Sequence, residues 1–217
     1  MSTPMVTAIL EGRKSQTRRV IKPCSTATLS DDSQPDWVFA EAHCPFGQVG
    51  DTLWVRETFV LESDEEYQFE PFYKLVTDRP VKVIPAEGEF SSYHLIPHYR
   101  ATEPEPMITE GEDEKGFLGT KWRPSIFMPR WASRITLRIT DIRPERLQDI
   151  TEKDAIAEGI EITEGELPAH YHSSKLSAWL NFKTAREAYY DLWDTINPKY
   201  PFSSNPFVWA LSFEMRG

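Results

Sequence analysis

Gly12-Arg13-Lys14-Ser15-Gln16-Thr17-Arg18-Arg19, running into Val20-Ile21-Lys22-Pro23, is the stretch on which the reading of the fold turns. It joins a short amphipathic segment to a strand-like run. It also sets an ammonium (Lys14) three residues before a hydroxyl (Thr17), among the guanidinium groups of Arg13, Arg18 and Arg19. A hydroxyl is a poor nucleophile until a neighbour removes its proton, and a lysine crowded by cations loses basicity and can do so. Spacing i, i+3 brings two side chains to one side of a helical turn. Alone, the stretch predicts either a Lys/Thr catalytic or anion-binding corner, or a basic, solvated turn after a helix.

Upstream, Thr3-Pro4 reads as an N-cap followed by proline at the first helical position. Met5, Ala8 and Ile9 then fall on one face, and Gly12 ends the helix in a left-handed conformation. Downstream, 18–21 is a short strand stopped by Pro23, 25–36 a polar loop, and Gly50-Asp51 a turn before the strand-like Thr52-Leu53-Trp54-Val55-Arg56-Glu57. Residues 61–120 read as an elaboration rather than core, with strands at 72–76 and 94–100 and an acidic loop over 102–116. Residues 122–131 hold too much proline for regular structure, whereas Ile135, Leu137 and Ile139 alternate with polar residues as in a half-buried strand. Thr151-Glu152-Lys153-Asp154 opens a short helix with a capping-box-like pattern that runs to Glu158 and stops at Gly159. Residues 161–177 read as a second loop insertion. Residues 178–196 form the clearest helix, with Ala185, Ala188, Tyr189, Leu192, Trp193 and Ile196 on one stripe. The alternation of Phe207, Trp209, Leu211 and Phe213 predicts a central closing strand. The expectation is one α+β domain over 1–217, built on a mostly antiparallel or barrel-like sheet, with insertions at about 61–120 and 161–177.

Composition narrows the function. The chain has 217 residues, 40% hydrophobic and 12% aromatic with seven Trp, so a well-filled core is expected. No apolar run reaches the length of a membrane span and the N-terminus carries no signal-peptide pattern, which predicts a soluble, cytoplasmic protein. Cys24 and Cys44 form no CxxC pair, and reduced thiols are expected rather than zinc or a disulfide. His94 and His98 lack helical context and a third ligand, so no metal and no cofactor are expected. A net charge of −10 argues against tight, sequence-indifferent binding to nucleic acid. Residues 11–22 and 119–146 are nevertheless basic. Were they to meet, they would form a local positive pocket suited to a small anionic or polar ligand or a short single strand.

Four segments together resemble one family. Residues 12–19 resemble the G-x-K-x-x-T-x-R signature of ASCH domains, and Gly50-Asp51-Thr52-Leu53-Trp54-Val55 resembles their GD-x-L-x-V strand. Residues 147–159 resemble the L-x-x-I-T-x-x-x-A-x-x-E-G helix, and 206–214 the closing strand. Residues 122–134 resemble the large members found in bacteriophages and prophages. The resemblance implies a PUA-like β-barrel with flanking helices, a fold used in RNA-modification proteins. Small bacterial members are amidohydrolases on N4-acetylcytidine that use a Lys, a Thr and a Glu. Carried over by motif position these are Lys14, Thr17 and Glu158, with Arg19 as the accompanying arginine. The chain departs from the small enzymes in having Ser15 where they often have Thr, and in being roughly twice as long.

The chemistry fits amide hydrolysis of a modified cytosine nucleoside or nucleotide. Thr17 would attack the acyl carbonyl, with Lys14, depressed by Arg13, Arg18, Arg19 and burial, as base. Glu158 would orient Lys14 or pass a proton to the leaving amine; in a second assignment Lys14 or Glu158 activates water and Thr17 positions it. The structural alternative is a Lys14–Glu158 salt bridge with Thr17 capping a turn. Substrate-binding candidates are Arg19, Arg13, Trp122, Arg123, Ser125 and Arg130, followed by Ser133, and an Arg56–Glu57 ion pair is expected to support the site. The competing functions are a PUA-like module that binds single-stranded RNA or a modified base without catalysis and, more remotely, a ribonuclease.

Overall fold

The computed structural model describes residues 1–22, 44–65, 80, 82–85, 92–103, 122–163, 170–172 and 182–216. The expected loop at 25–36, strand at 72–76, most of the acidic loop, Cys24 and positions 178–181 lie outside the described residues. In chain order the elements are helix α1 (Thr3–Leu10) and strands β1 (Gln16–Val20), β2 (Thr52–Trp54), β3 (Phe59–Glu65), β4 (Lys82–Pro85), β5 (Ser92–Tyr99) and β6 (Thr136–Arg146). Helix α2 (Glu152–Ala157), strands β7 (Glu161–Thr163) and β8 (His170–His172), helix α3 (Ala185–Ile196) and strand β9 (Phe207–Met215) follow. The chain divides into two compact units, Met1–Thr7 with Trp54–Thr136, and Ala8–Leu53 with Leu137–Gly217.

In the second unit the closing strand is central, as its alternation predicts. β9 pairs antiparallel with β1 on one side and β6 on the other, within a curled antiparallel sheet of order β1-β9-β6-β2. Val208, Trp209, Ala210 and Leu211 are all buried, because a central strand is covered on both faces. Ile139, Ile142, Trp209 and Leu211 form an apolar cluster, with Ile21, Cys44 and Leu53 packed against it. The turn at Gly50 (φ +97°) presents its N–H to the Ile139 carbonyl at 2.8 Å, and Ile139 returns a bond to the Asp51 carbonyl at 2.9 Å. Pro144 interrupts the alternation of β6 but is tolerated opposite Trp209, past the short reach of β2.

The helices start where their caps dictate. Thr151 Oγ1 accepts from the Asp154 N–H at 3.1 Å and begins α2, in line with the capping pattern. Helix α3 begins at Ala185, not at 178: residues 182–184 are non-helical and Thr184 is the cap. Thr184 Oγ1 accepts from Glu187 N–H at 3.1 Å, while the Glu187 carboxylate accepts from Lys183 N–H at 3.0 Å, a near-reciprocal box that overrides the apolar pattern before it. Ala185, Ala188, Tyr189, Leu192 and Trp193 are its buried stripe, but Ile196 is exposed at the helix end. In α1, Thr3 is already helical and Val6, rather than Met5, joins Ala8 and Ile9 as a buried residue. The expected loop at 161–177 contains a paired strand ladder, β7 with β8.

The first unit corrects the expectation that 61–120 lacks core. β3, β5 and β4 form an antiparallel sheet, and Phe59, Leu61 and Tyr99 bury with Met128 and Ala132 in a cluster of their own. The proline-rich segment lies along it as two 3-10 turns, Ser125–Phe127 after Pro124 and Arg130–Ala132 after Pro129. Met128 and Ala132 anchor it, and the Tyr99 hydroxyl donates to the Ala132 carbonyl at 2.8 Å.

Candidate functional site

The basic stretch is not a solvated turn. Gly12 (φ +74°) closes α1 through its N–H to the Ile9 carbonyl, and the chain then threads between three elements. Lys14 N–H bonds the Ala8 carbonyl (2.9 Å), Ser15 N–H the Ala157 carbonyl (2.8 Å), and Phe213 N–H the Ser15 carbonyl (2.8 Å). Lys14 and Glu158 form an isolated antiparallel bridge. Gly159 (φ +96°) makes room for it: a Cβ there would lie 3.3 Å from the Cβ atoms of both Ala8 and Lys14.

This stitching buries a charge pair. Lys14 Nζ donates to Glu158 Oε2 at 2.7 Å, to the Glu158 carbonyl at 2.7 Å and to the Gln16 carbonyl at 2.8 Å. Lys14 is 5% exposed and Glu158 4%. Burial holds the ammonium below the ordinary lysine range, against the attraction of Glu158 and with the help of the Arg19 and Arg18 charges. The other oxygen of Glu158 is held separately, Oε1 accepting from Arg18 Nη1 at 3.2 Å and from the Tyr189 hydroxyl at 3.4 Å. Burial and the nearby Glu158 charge push the Tyr189 hydroxyl well above the usual tyrosine value, so it stays a neutral donor.

Arg18, on β1, extends the pair into a network. Its Nε donates to Glu145 Oε1 at 2.7 Å, and its Nη2 lies 2.7 Å from the same oxygen and 3.5 Å from Asp154 Oδ2. Burial works against the Arg18 charge, but Glu158 and Glu145 outweigh it and strengthen its hold on the proton. Arg143 reaches Glu145 at 2.9 Å and Asp154 at 3.2 Å, and Gln16 Nε2 donates to Asp154 Oδ1 at 2.9 Å. The expected positive pocket is therefore a balanced cluster, in which Lys14, Arg18 and Arg143 interleave with Glu158, Glu145 and Asp154.

Strand geometry corrects the helical argument for Lys14 and Thr17. Residues 16–20 are extended, so alternation puts Gln16 and Arg18 on one face of β1 and Thr17 and Arg19 on the other. Thr17 caps no turn; it is half-buried in the strand opposite Leu211, and Arg19 is exposed opposite Trp209. The Arg13 guanidinium pairs with Glu11 and, at 3.2 Å, with Glu161, and the cations with the largest effect on Lys14 are Arg19 and Arg18.

The remaining candidates lie in the first unit. The Arg100 guanidinium stands 6.0 Å from the Trp122 ring centre, and Arg123 is tied by backbone pairing to Phe59. Arg130 and Arg56 both approach the Trp54 ring, at 5.5 and 4.6 Å, beside Ile126 and Phe127, each 68% exposed. Ser125 lies in the same turn, half-buried, and Ser133 Oγ is committed to the Val55 carbonyl at 2.9 Å. The expected Arg56–Glu57 ion pair does not form: buried Glu57 takes Arg134 in a two-pronged contact, both bonds at 3.0 Å, while Arg56 bonds the Ile126 carbonyl. Among the described residues no group of three or more His, Cys, Asp or Glu is placed to hold a metal ion, and no helix is long and apolar enough to cross a membrane.

Sequence reasoning placed the Arg18 charge beside Lys14 but missed its bond to Glu158, and missed Glu145, Asp154 and Tyr189. The signal available was the period of two: once 16–20 is a strand, Gln16 and Arg18 must share a face. Compared with known proteins, the chain matches no family model, no curated protein and no solved structure.

Proposed function

We propose that the protein is a PUA-like, ASCH-type amidohydrolase that removes an acyl group from the exocyclic N4 of a cytosine nucleoside or nucleotide. The observation that carries the reading is the buried Lys14–Glu158 contact at 2.7 Å, made by two motif positions 144 residues apart. A lysine whose ammonium is disfavoured by burial gives up its proton more readily than a free lysine, as a general base must. In the reaction Thr17 Oγ bonds to the acyl carbon as its proton passes to neutral Lys14. The carbonyl oxygen becomes an oxyanion that Arg19 neutralises, and collapse breaks the C–N bond as Lys14-H⁺ protonates the leaving amine. Water then cleaves the Thr17 ester, yielding the carboxylic acid. In the variant without an acyl-enzyme, Lys14 deprotonates water and Thr17 positions it.

A second reading has an observation of its own. All three ammonium protons of Lys14 are used, on two carbonyls and one carboxylate, as in a structural clamp. That favours a module that binds single-stranded RNA or a modified base without turning it over. Absorbance-monitored deacetylation of N4-acetylcytidine separates the two: turnover by the wild type that is lost in Lys14→Ala supports the enzyme. Salt-dependent binding of RNA oligonucleotides with no turnover of any N4-acyl cytosine would leave the binding module.

A further inference from the structure

We infer that Arg18, at a variable position of the motif, is the positioning residue of the Lys14–Glu158 pair, holding Glu158 Oε1 so that Oε2 faces Lys14. The two oxygens of Glu158 are divided between partners, Oε2 to Lys14 at 2.7 Å and Oε1 to Arg18 Nη1 at 3.2 Å. Tyr189, the other donor to Oε1, is uncharged and more distant at 3.4 Å. Arg18 is itself immobilised. Its side chain is 0% exposed, Nε donates to Glu145 Oε1 at 2.7 Å with Nη2 in ion-pair distance of the same oxygen, and the Tyr189 ring lies 6.0 Å from its guanidinium carbon. Glu145 in turn is fixed from its other oxygen by Arg143 at 2.9 Å.

A planar fork suits this place and an ammonium does not, because one group must address Glu158, Glu145 and Asp154 in different directions. The charge has a second effect. Lys14 faces Glu158 from the end of α2 and the Arg18 and Arg19 charges from β1; Arg18 therefore repels the Lys14 proton while it fixes the carboxylate that attracts it. Fixing Glu158 is thus the main effect of this side chain on the pair, its repulsion of the Lys14 proton adding to the larger effects of burial and Arg19.

The inference deepens the amidohydrolase reading, and its test needs no substrate, so the two can fail separately. Lysine-Cε-labelled protein is titrated by NMR, with the Lys14 resonance identified by its loss in Lys14→Met. Arg18→Gln, which keeps an amide donor without the charge or the planar fork, should shift the Lys14 midpoint away from that of the wild type. Tyr189→Phe, which changes no charge, should move it far less. An Arg18→Gln protein that is folded but titrates Lys14 as the wild type does would reduce Arg18 to a structural role and overturn the inference. Should that variant not fold, the wild type decides: the Arg18 Nε resonance must follow the Lys14 titration with the same midpoint, and a flat resonance overturns the inference.

Discussion

At the residue scale, Lys14 and Glu158 are buried opposite charges; removing Glu158 takes from Lys14 its carboxylate, and removing Lys14 leaves Glu158 Oε2 without its donor while Oε1 keeps Arg18. Deleting one partner of a buried pair costs about 3–5 kcal/mol, whereas removing both releases much of that penalty. Lys14→Met and Glu158→Gln should each lower stability to urea by about that amount, and the double variant by less than the sum. Equal and additive losses would mean that the two do not interact. As a base, Lys14 must be neutral, so the deacetylation rate should rise with pH as Lys14 loses its proton, with a midpoint below the ordinary 10.5. Thr17→Ala should cost on the order of 10⁶ in rate if Thr17 is the nucleophile; an active variant assigns the attack to water. Lys14 and Glu158 were legible in the sequence only through the motif, since nothing local links positions 144 residues apart. The bond from Arg18 to Glu158 was hidden by the wrong period: a helical turn groups Lys14 with Thr17, a strand groups Gln16 with Arg18.

At the scale of elements, α2 and the glycine after it set the position of the pair. Burial alone would push the Asp154 carboxyl up, but bonds from Thr151 and Gln16 and the charges of Arg143 and Arg18 bring it below its ordinary 3.8. A carboxyl lowered on folding stabilises above its unfolded value and loses that contribution as pH falls through its folded one. Asp154→Asn should therefore be less stable than the wild type at neutral pH, with the gap closing below pH 3.8; a gap independent of pH would refute the charge contribution. Gly159→Ala should cost about 1–3 kcal/mol by thermal or urea unfolding, since its φ of +96° and two contacts at 3.3 Å both oppose a Cβ. Lys14 lies against one of those contacts, so the same variant should lose activity as well as stability. The caps were readable at this scale, Thr151-x-x-Asp154 directly and Thr184-x-x-Glu187 in retrospect. Apolar spacing upstream of 185 is compatible with a longer helix, but the Thr184 cap sets a boundary that periodicity cannot. The β7–β8 ladder was not readable, because three-residue strands carry too short an alternation to register.

At the scale of the whole molecule, the α+β class and the central place of β9 followed from pattern, but the division into two units did not. Phe59, Leu61, Tyr99, Met128 and Ala132 are scattered in sequence and gather only through strand pairing and the proline-braced turns. Charge, by contrast, was readable at once. With −10 overall and the Lys14–Arg18–Arg143 cations neutralised by Glu158, Glu145 and Asp154, no continuous cationic track is available within that cluster. Duplex RNA should consequently bind at physiological salt no more tightly than about 10⁻⁴ M, the weak end of non-specific association, by fluorescence anisotropy. Tighter binding with a steep salt dependence would contradict that electrostatic picture. The central claim, that the buried Lys14–Glu158 pair serves amide hydrolysis, is tested most directly by following N4-acetylcytidine absorbance with the wild type, Lys14→Ala and Glu158→Gln side by side. Conversion to cytidine is expected from the wild type alone. No conversion by the wild type, or equal conversion by all three folded proteins, would contradict it.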